Sequence, residues 1–238
     1  MKTIIDIVLL VIIALCTWSG YKKGLIGAAA SFLAVIVALY AGCLLSSAYS
    51  GEVIPALKPF IAGYVDSAEN RRTIMDNMGF SNDERSLTDI LNEDSSLRYD
   101  YAYECMGIVG FSENNADKLA AEAVAVSNEQ GVSVTNAVVQ VLCNTVTYVG
   151  GTAIAFLMII ILITAVANIG NLSFRLPNME NLDEIGGAVM GFVKGFLYCI
   201  LFSWLLSFLG LAIGKHTMND TVLARFFLAF EFVTNSIM

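Results

Sequence analysis

The sequence predicts an all-α fold: a polytopic membrane protein with four transmembrane helices and a helical extracytoplasmic insert. Three observations predict it. Of 238 residues, 57% are hydrophobic and only 14% charged, where a soluble domain carries about a quarter charged residues. The apolar residues gather in runs, several of them close to the roughly 20 residues that a helix needs to cross a bilayer. The charge is also uneven. Between Ala48 and Thr145 stand 15 acidic and 6 basic residues, so the net charge of -8 belongs to that segment and the rest is close to neutral. No basic stripe is present to neutralise phosphates, which excludes nucleic acid as a partner.

The four spans run from about Ile4 to Ser19, Leu25 to Ser46, Val149 to Ile169 and Gly186 to Ile213. The first reads as an uncleaved anchor rather than a secretory leader, because Lys22 and Lys23 follow it and only Lys2 precedes it. Between the first two spans lies the short connection GYKKG. Gly20 and Gly24 let the backbone reverse, and Lys22 and Lys23 mark the cytoplasmic face by the positive-inside rule. Both termini and the acidic insert then fall outside the cytoplasm, and the connection holding Arg175 falls inside. The chain thus divides into residues 1–47 (spans one and two), 48–146 (insert), 147–214 (spans three and four) and 215–238 (a C-terminal amphipathic helix).

The insert has the periodicity of helices rather than of a disordered tail. Val53 to Val65, Glu69 to Met78 and Ala116 to Asn128 repeat apolar residues at helical spacing, and Ser86 is placed to cap LTDIL. From Gln130 to Phe174 no charge occurs. Val134, Val138, Val141 and Leu142 form one face there, an amphipathic helix that feeds span three with a bend at Gly150 and Gly151; a fifth span is the alternative. After span four, Lys215 and His216 mark the interface. Asn219 or Asp220 then caps TVLARFFLAFEFV, whose apolar face comprises Val222, Leu223, Phe226, Phe227 and Phe230.

GYKKG, the early aspartate Asp6, and LDEIGGAVMGFVKG leading into span four carry a resemblance to the colicin V production (CvpA) family. It covers roughly residues 3 to 47 and 147 to 213, with Asp6, Gly20, Lys22, Lys23, Gly24, Asp183, Gly187, Gly191, Lys194 and Gly195 on the motif positions. The resemblance implies a multi-pass protein of the bacterial inner (plasma) membrane, tied to toxin biosynthesis or export and to envelope homeostasis. Some relatives carry an extracytoplasmic serine-protease domain after the membrane part. This chain shows none, and its acidic insert is longer than the corresponding connection in compact members.

Three polar residues within spans are candidate functional groups: Asp6, Lys194 and Asn168. Asp6 reads either as an ion- or proton-linked carboxylate or as an interfacial group bonded to nearby backbone. Lys194 lies roughly 12 Å along its helix from Gly186. It either snorkels to the headgroups or takes part in gating or in a pair with Asp183 or Asp6. Asn168 satisfies backbone or binds an ion. Gly187, Gly191 and Gly195, at four-residue spacing, form a smooth packing face against span one or two, or across a homo-oligomer interface. Cys105 and Cys143 are the one conceivable disulfide, with two buried thiols as the simpler reading; no C-x-x-C, metal or cofactor motif occurs. With His216 the single histidine and no hydrolase or P-loop signature, the chain reads as a non-enzyme. Two functions fit: a membrane scaffold or accessory protein offering residues 48–146 to an envelope or export partner, or a small oligomeric ion or solute channel or transporter.

Overall fold

The structure, a computed structural model, describes residues 2–80, 87–169, 180–208 and 221–229. Every regular element among them is an α-helix: α1 (Lys2–Val65), α2 (Ala68–Asn77), α3 (Leu87–Glu93), α4 (Leu97–Val109), α5 (Glu113–Gln130), α6 (Val134–Ile169), α7 (Glu180–Leu206) and α8 (Val222–Leu228). Three of them, α1, α6 and α7, are long and apolar enough to cross a membrane. The chain divides into two compact units. An apolar unit takes α1 up to Ala48, α6 from Val149, α7 and α8; a second unit takes α1 from Tyr49, α2 to α5, α6 up to Tyr148, and Ser207 and Phe208.

The expected first and second spans both lie in α1. Their helix is interrupted at one residue, Gly24, with φ 74° and ψ 174°, a conformation essentially confined to glycine. Ile12 and Leu39 nonetheless line one cavity of about 270 Å³. A straight helix would hold them about 40 Å apart at 1.5 Å per residue. The chain therefore doubles back at Gly24, and α1 is a helical hairpin within the apolar unit.

Beyond that unit the observed helices depart from the expected breaks. The expected end of span two at Ser46 is not a helix end, since helical geometry continues from Leu25 to Val65 through Pro55 and Pro59. A proline inside a helix leaves a carbonyl unbonded; both prolines are exposed, so that carbonyl has no need of a protein partner. In α6 the chain stays helical through Gly150 and Gly151, where the sequence suggests a bend. Gly151 also allows close approach: a Cβ there would stand 2.6 Å from the Ser46 hydroxyl. Together with Gly42, whose Cβ position is 3.2 Å from the Phe156 amide and 3.3 Å from the Thr152 carbonyl, it seats the second arm of α1 against α6. Rising numbers on one helix meet falling numbers on the other, so the two are antiparallel.

The second unit is a helical cluster around its own core of Val65, Ile74, Tyr101, Cys105, Met106, Phe111, Val138 and Leu142, all buried. Its helices have recognisable punctuation. Ser67 caps α2 by accepting from the Asn70 amide at 3.4 Å, and Gly110 (φ 90°) and Gly131 (φ 65°) end α4 and α5 in left-handed geometry. Ser207 and Phe208 fasten to this core: the Ser112 amide donates to the Ser207 carbonyl at 2.9 Å, and Phe208 packs edge-on to Phe111 at 5.5 Å. The Asp117 carboxylate accepts a hydrogen bond from Tyr99, and this bond with partial burial pushes the phenol up to about 12. The expected helix Ala116 to Asn128 lies inside α5. Ser86, the expected cap of α3, lies outside the described residues, as do Arg175, Lys215, His216, Asn219, Asp220, Phe230 and Glu231. The residue at the start of α8 is Thr221, and its side chain makes no capping bond.

Cys105 and Cys143 are both free, as are the other three cysteines. Both lie among apolar side chains of the second unit, and burial pushes the Cys105 thiol up to about 12. The folded state thus holds this proton. The stabilisation from doing so is complete below the ordinary thiol value of 9.0 and is lost as pH rises toward about 12. Cys105 is therefore expected to resist iodoacetamide at about pH 8 in the folded protein and to react once denaturant exposes it. Peptide mass spectrometry of both samples checks this; alkylation of Cys105 in the folded chain would contradict the packing described.

Candidate functional site

The two motifs that stand far apart in the sequence meet in the apolar unit. Gly20 and Gly24 end the first arm of α1, and Asp183, Gly187, Gly191 and Gly195 lie on one face of α7. All six are buried. A Cβ on Gly187 would stand 2.8 Å from the Gly24 carbonyl carbon. On Gly191 it would stand 3.0 Å from Cα of both Gly20 and Thr17, and on Gly195 3.1 Å from Cα of Ile13. The same holds from the other side, where a Cβ on Gly20 would meet the Gly191 Cα at 2.7 Å. Backbone thus lies on backbone along the whole seam, and one turn further on the Cys199 thiol donates to the Leu9 carbonyl at 3.4 Å. Between apolar helices in lipid such van der Waals contact is the main attraction, since burial from water adds little there.

The hairpin turn is closed by a carboxylate. Reversal at Gly24 leaves the first amides of the second arm without carbonyl partners. Asp183, 4% exposed in the first turn of α7, accepts the Leu25 N–H at 2.8 Å. It lies so close to Gly24 that a Cβ would come within 2.8 Å of all three atoms of its carboxyl group. Gly24 is therefore required twice, for its backbone angles and for the space that Asp183 fills. Beside it, the Tyr21 hydroxyl donates to Glu184 at 2.8 Å. At this same end Trp18 stacks on Tyr21 at 6.4 Å and Lys22 lies over the Trp18 ring at 5.2 Å. Exposed Trp and Tyr beside lysine are the side chains that settle at a membrane–water interface.

Asp6 lies toward the other end of the seam and does the same work on another helix. Its carboxylate accepts the Leu223 N–H at 3.1 Å. That amide is in the first turn of α8, whose own Thr221 side chain does not cap it. Phe227 of α8 packs on Phe196 of α7, ring centres 5.1 Å apart.

Lys194 is brought to neither carboxylate. Its ammonium sits over the Tyr198 ring, 5.6 Å from the centroid, and among the described residues no carboxylate lies within ion-pair distance of it. The alternative pairing of Lys194 with Asp183 or Asp6 is thus not seen among the described residues, and both acids instead hold backbone amides. Asn168 lies in the last turn of α6, and its side chain is outside the described residues. Residue patterns alone give no sign of Asp183 as a cap. Its acceptor role belongs to a helix 158 residues earlier, and the only local signal is an acidic residue ahead of two glycines.

Long apolar helices held by a glycine seam, with two aspartates turned onto backbone amides, define a helical membrane protein. Residues 120–231 match the family model described as colicin V production protein. The matched stretch takes in α6, α7 and α8, while GYKKG and the rest of the first arm precede it. No curated protein and no solved structure matches the chain.

Replacing Asp183 by alanine orphans a buried amide and is expected to cost about 1–3 kcal/mol; Asp183→Asn keeps an acceptor and is expected to lose well under half of that. Gly24→Ala combines a glycine-only conformation with a clash, and is expected to destabilise at least as much as Asp183→Ala. Thermal unfolding of the purified variants in one detergent measures the order. Equal stability of Asp183→Ala and the parent would contradict the capping role.

Proposed function

We propose that the chain is a four-span accessory or scaffold protein of the bacterial plasma membrane, not an enzyme, serving toxin biosynthesis or export or envelope homeostasis. In this reading both arms of α1, α6 from Val149, and α7 cross the bilayer. The GYKKG turn faces the cytoplasm, and the helices of residues 48–146 are offered outside to an envelope or export protein. The observation that carries it is the use made of the polar groups in the apolar unit: Asp6 and Asp183 are spent on the amides of Leu223 and Leu25. A carboxylate that holds a structural amide is poorly placed to bind and release ions, so these groups serve a fixed frame. The family match over residues 120–231 supports the membrane setting, and the separate core of the second unit supports its use as a binding body.

Two measurements test this. A cysteine placed at Asn114 in intact cells is expected to react with a membrane-impermeant maleimide, and one at Lys22 only after permeabilisation. Crosslinking of the full chain is expected to capture an envelope protein that is lost when charge-reversed residues are introduced on exposed positions of the insert. Unchanged crosslinks, together with ion flux above empty liposomes that Asp6→Asn abolishes, would establish a channel or transporter instead.

A further inference from the structure

The cavity of about 270 Å³ in the apolar unit is walled by both arms of α1, α6 and α7, with Ile12, Leu39, Phe156, Leu157, Tyr198 and Trp204 among its lining. Its lining is almost wholly apolar, and cavities of that kind stay dry even when water would fit. Leu157 at its rim is 56% exposed, so in a bilayer the opening faces hydrocarbon. One wall carries charge at its edge. Tyr198, part of the lining, is the ring over which the half-buried ammonium of Lys194 sits. No described carboxylate neutralises that cation, and Lys23 stands at the hairpin turn whose Gly24 backbone meets Gly187, about two helical turns before Lys194 on α7. An uncompensated cation among membrane helices is costly, and it persists where something supplies the counter-charge.

We propose that the apolar unit holds one anionic phospholipid, its phosphate against Lys194 and Lys23 and an acyl chain in the cavity lined by Tyr198 and Phe156. Charge complementarity identifies the occupant. The site offers cations at one edge and hydrocarbon surface beyond it, which a zwitterionic lipid satisfies less well and free phosphate satisfies only at the edge. The site rests on the reading of the long helices as spans in a bilayer, and on no other part of the proposed function.

The test is native mass spectrometry of the full chain in mild detergent, with phosphatidylglycerol, phosphatidylcholine or inorganic phosphate added in separate arms. One phosphatidylglycerol is expected to stay bound, at least tenfold more than phosphatidylcholine, and an excess of inorganic phosphate is expected not to displace it. Lys194→Gln is expected to lower that occupancy about tenfold and Lys194→Arg to keep it. Ala153→Phe, which fills the cavity and leaves the charges alone, is expected to lower it too. Circular dichroism confirms that each variant is folded, and any one of the two weakening variants that folds suffices. Equal retention of the two lipids, displacement by inorganic phosphate, or full retention in a folded Lys194→Gln or Ala153→Phe would overturn the inference. Retention of phosphatidylglycerol by a chain that captures no envelope partner would sink the scaffold reading and leave this one standing.

Discussion

One hydrogen bond organises the apolar unit: the Asp183 carboxylate accepting the Leu25 amide around Gly24. A helical hairpin must satisfy the amides that its turn exposes, and an orphan shielded from water costs about 1–3 kcal/mol. Water, a local side chain or another helix can meet that demand. Here another helix does, and the choice fixes how α7 sits. With Asp183 anchored at the turn, the next residues of α7 on the same face fall at Gly187, Gly191 and Gly195, and only residues without side chains fit so close to the α1 backbone. The cap and the glycine seam are therefore one interaction seen at two scales. The seam is strong because the cap sets its register.

The same solution recurs at Asp6, where a carboxylate on α1 accepts an amide at the start of α8. An acid inside an apolar segment suggests transport chemistry, yet both acids here act through their ability to accept hydrogen bonds in a setting with few acceptors. Charge is secondary to that geometry. Lys194 is the group that the pattern does not absorb, since it has a ring beneath it and, among the described residues, no acid opposite. That setting gives it a different character from the two aspartates.

The apolar runs, the turn at GYKKG and the small-residue face of α7 are all legible in the sequence, because each is a local pattern with one dominant physical cause. Hydrophobic length reports spans, and glycine spacing reports a face that admits a neighbour. What stays illegible is where one helix ends another's need. The Leu25 amide and its acceptor are far apart in the chain, and neither carries a local sign of the other. The continuation of α1 past Ser46 is hidden for a related reason: proline interrupts a helix's hydrogen bonds, yet Pro55 and Pro59 lie on an exposed helix surface where that loss is tolerated. Gly151 is ambiguous in another sense, since glycine marks flexibility and close packing with the same letter, and the Ser46 hydroxyl beside it reveals the packing role.

The long separation between Leu25 and Asp183 also orders events at the ribosome. The hairpin leaves the translation machinery with its turn amide unpartnered, and the acceptor follows only after 158 further residues. At the usual pace of synthesis, about 5–20 residues per second, that is an interval of roughly ten to thirty seconds. During that interval α1 has a glycine-lined backbone face open to any passing helix. A nascent chain halted before α7 would carry the α1 face of the seam without the helix that covers it.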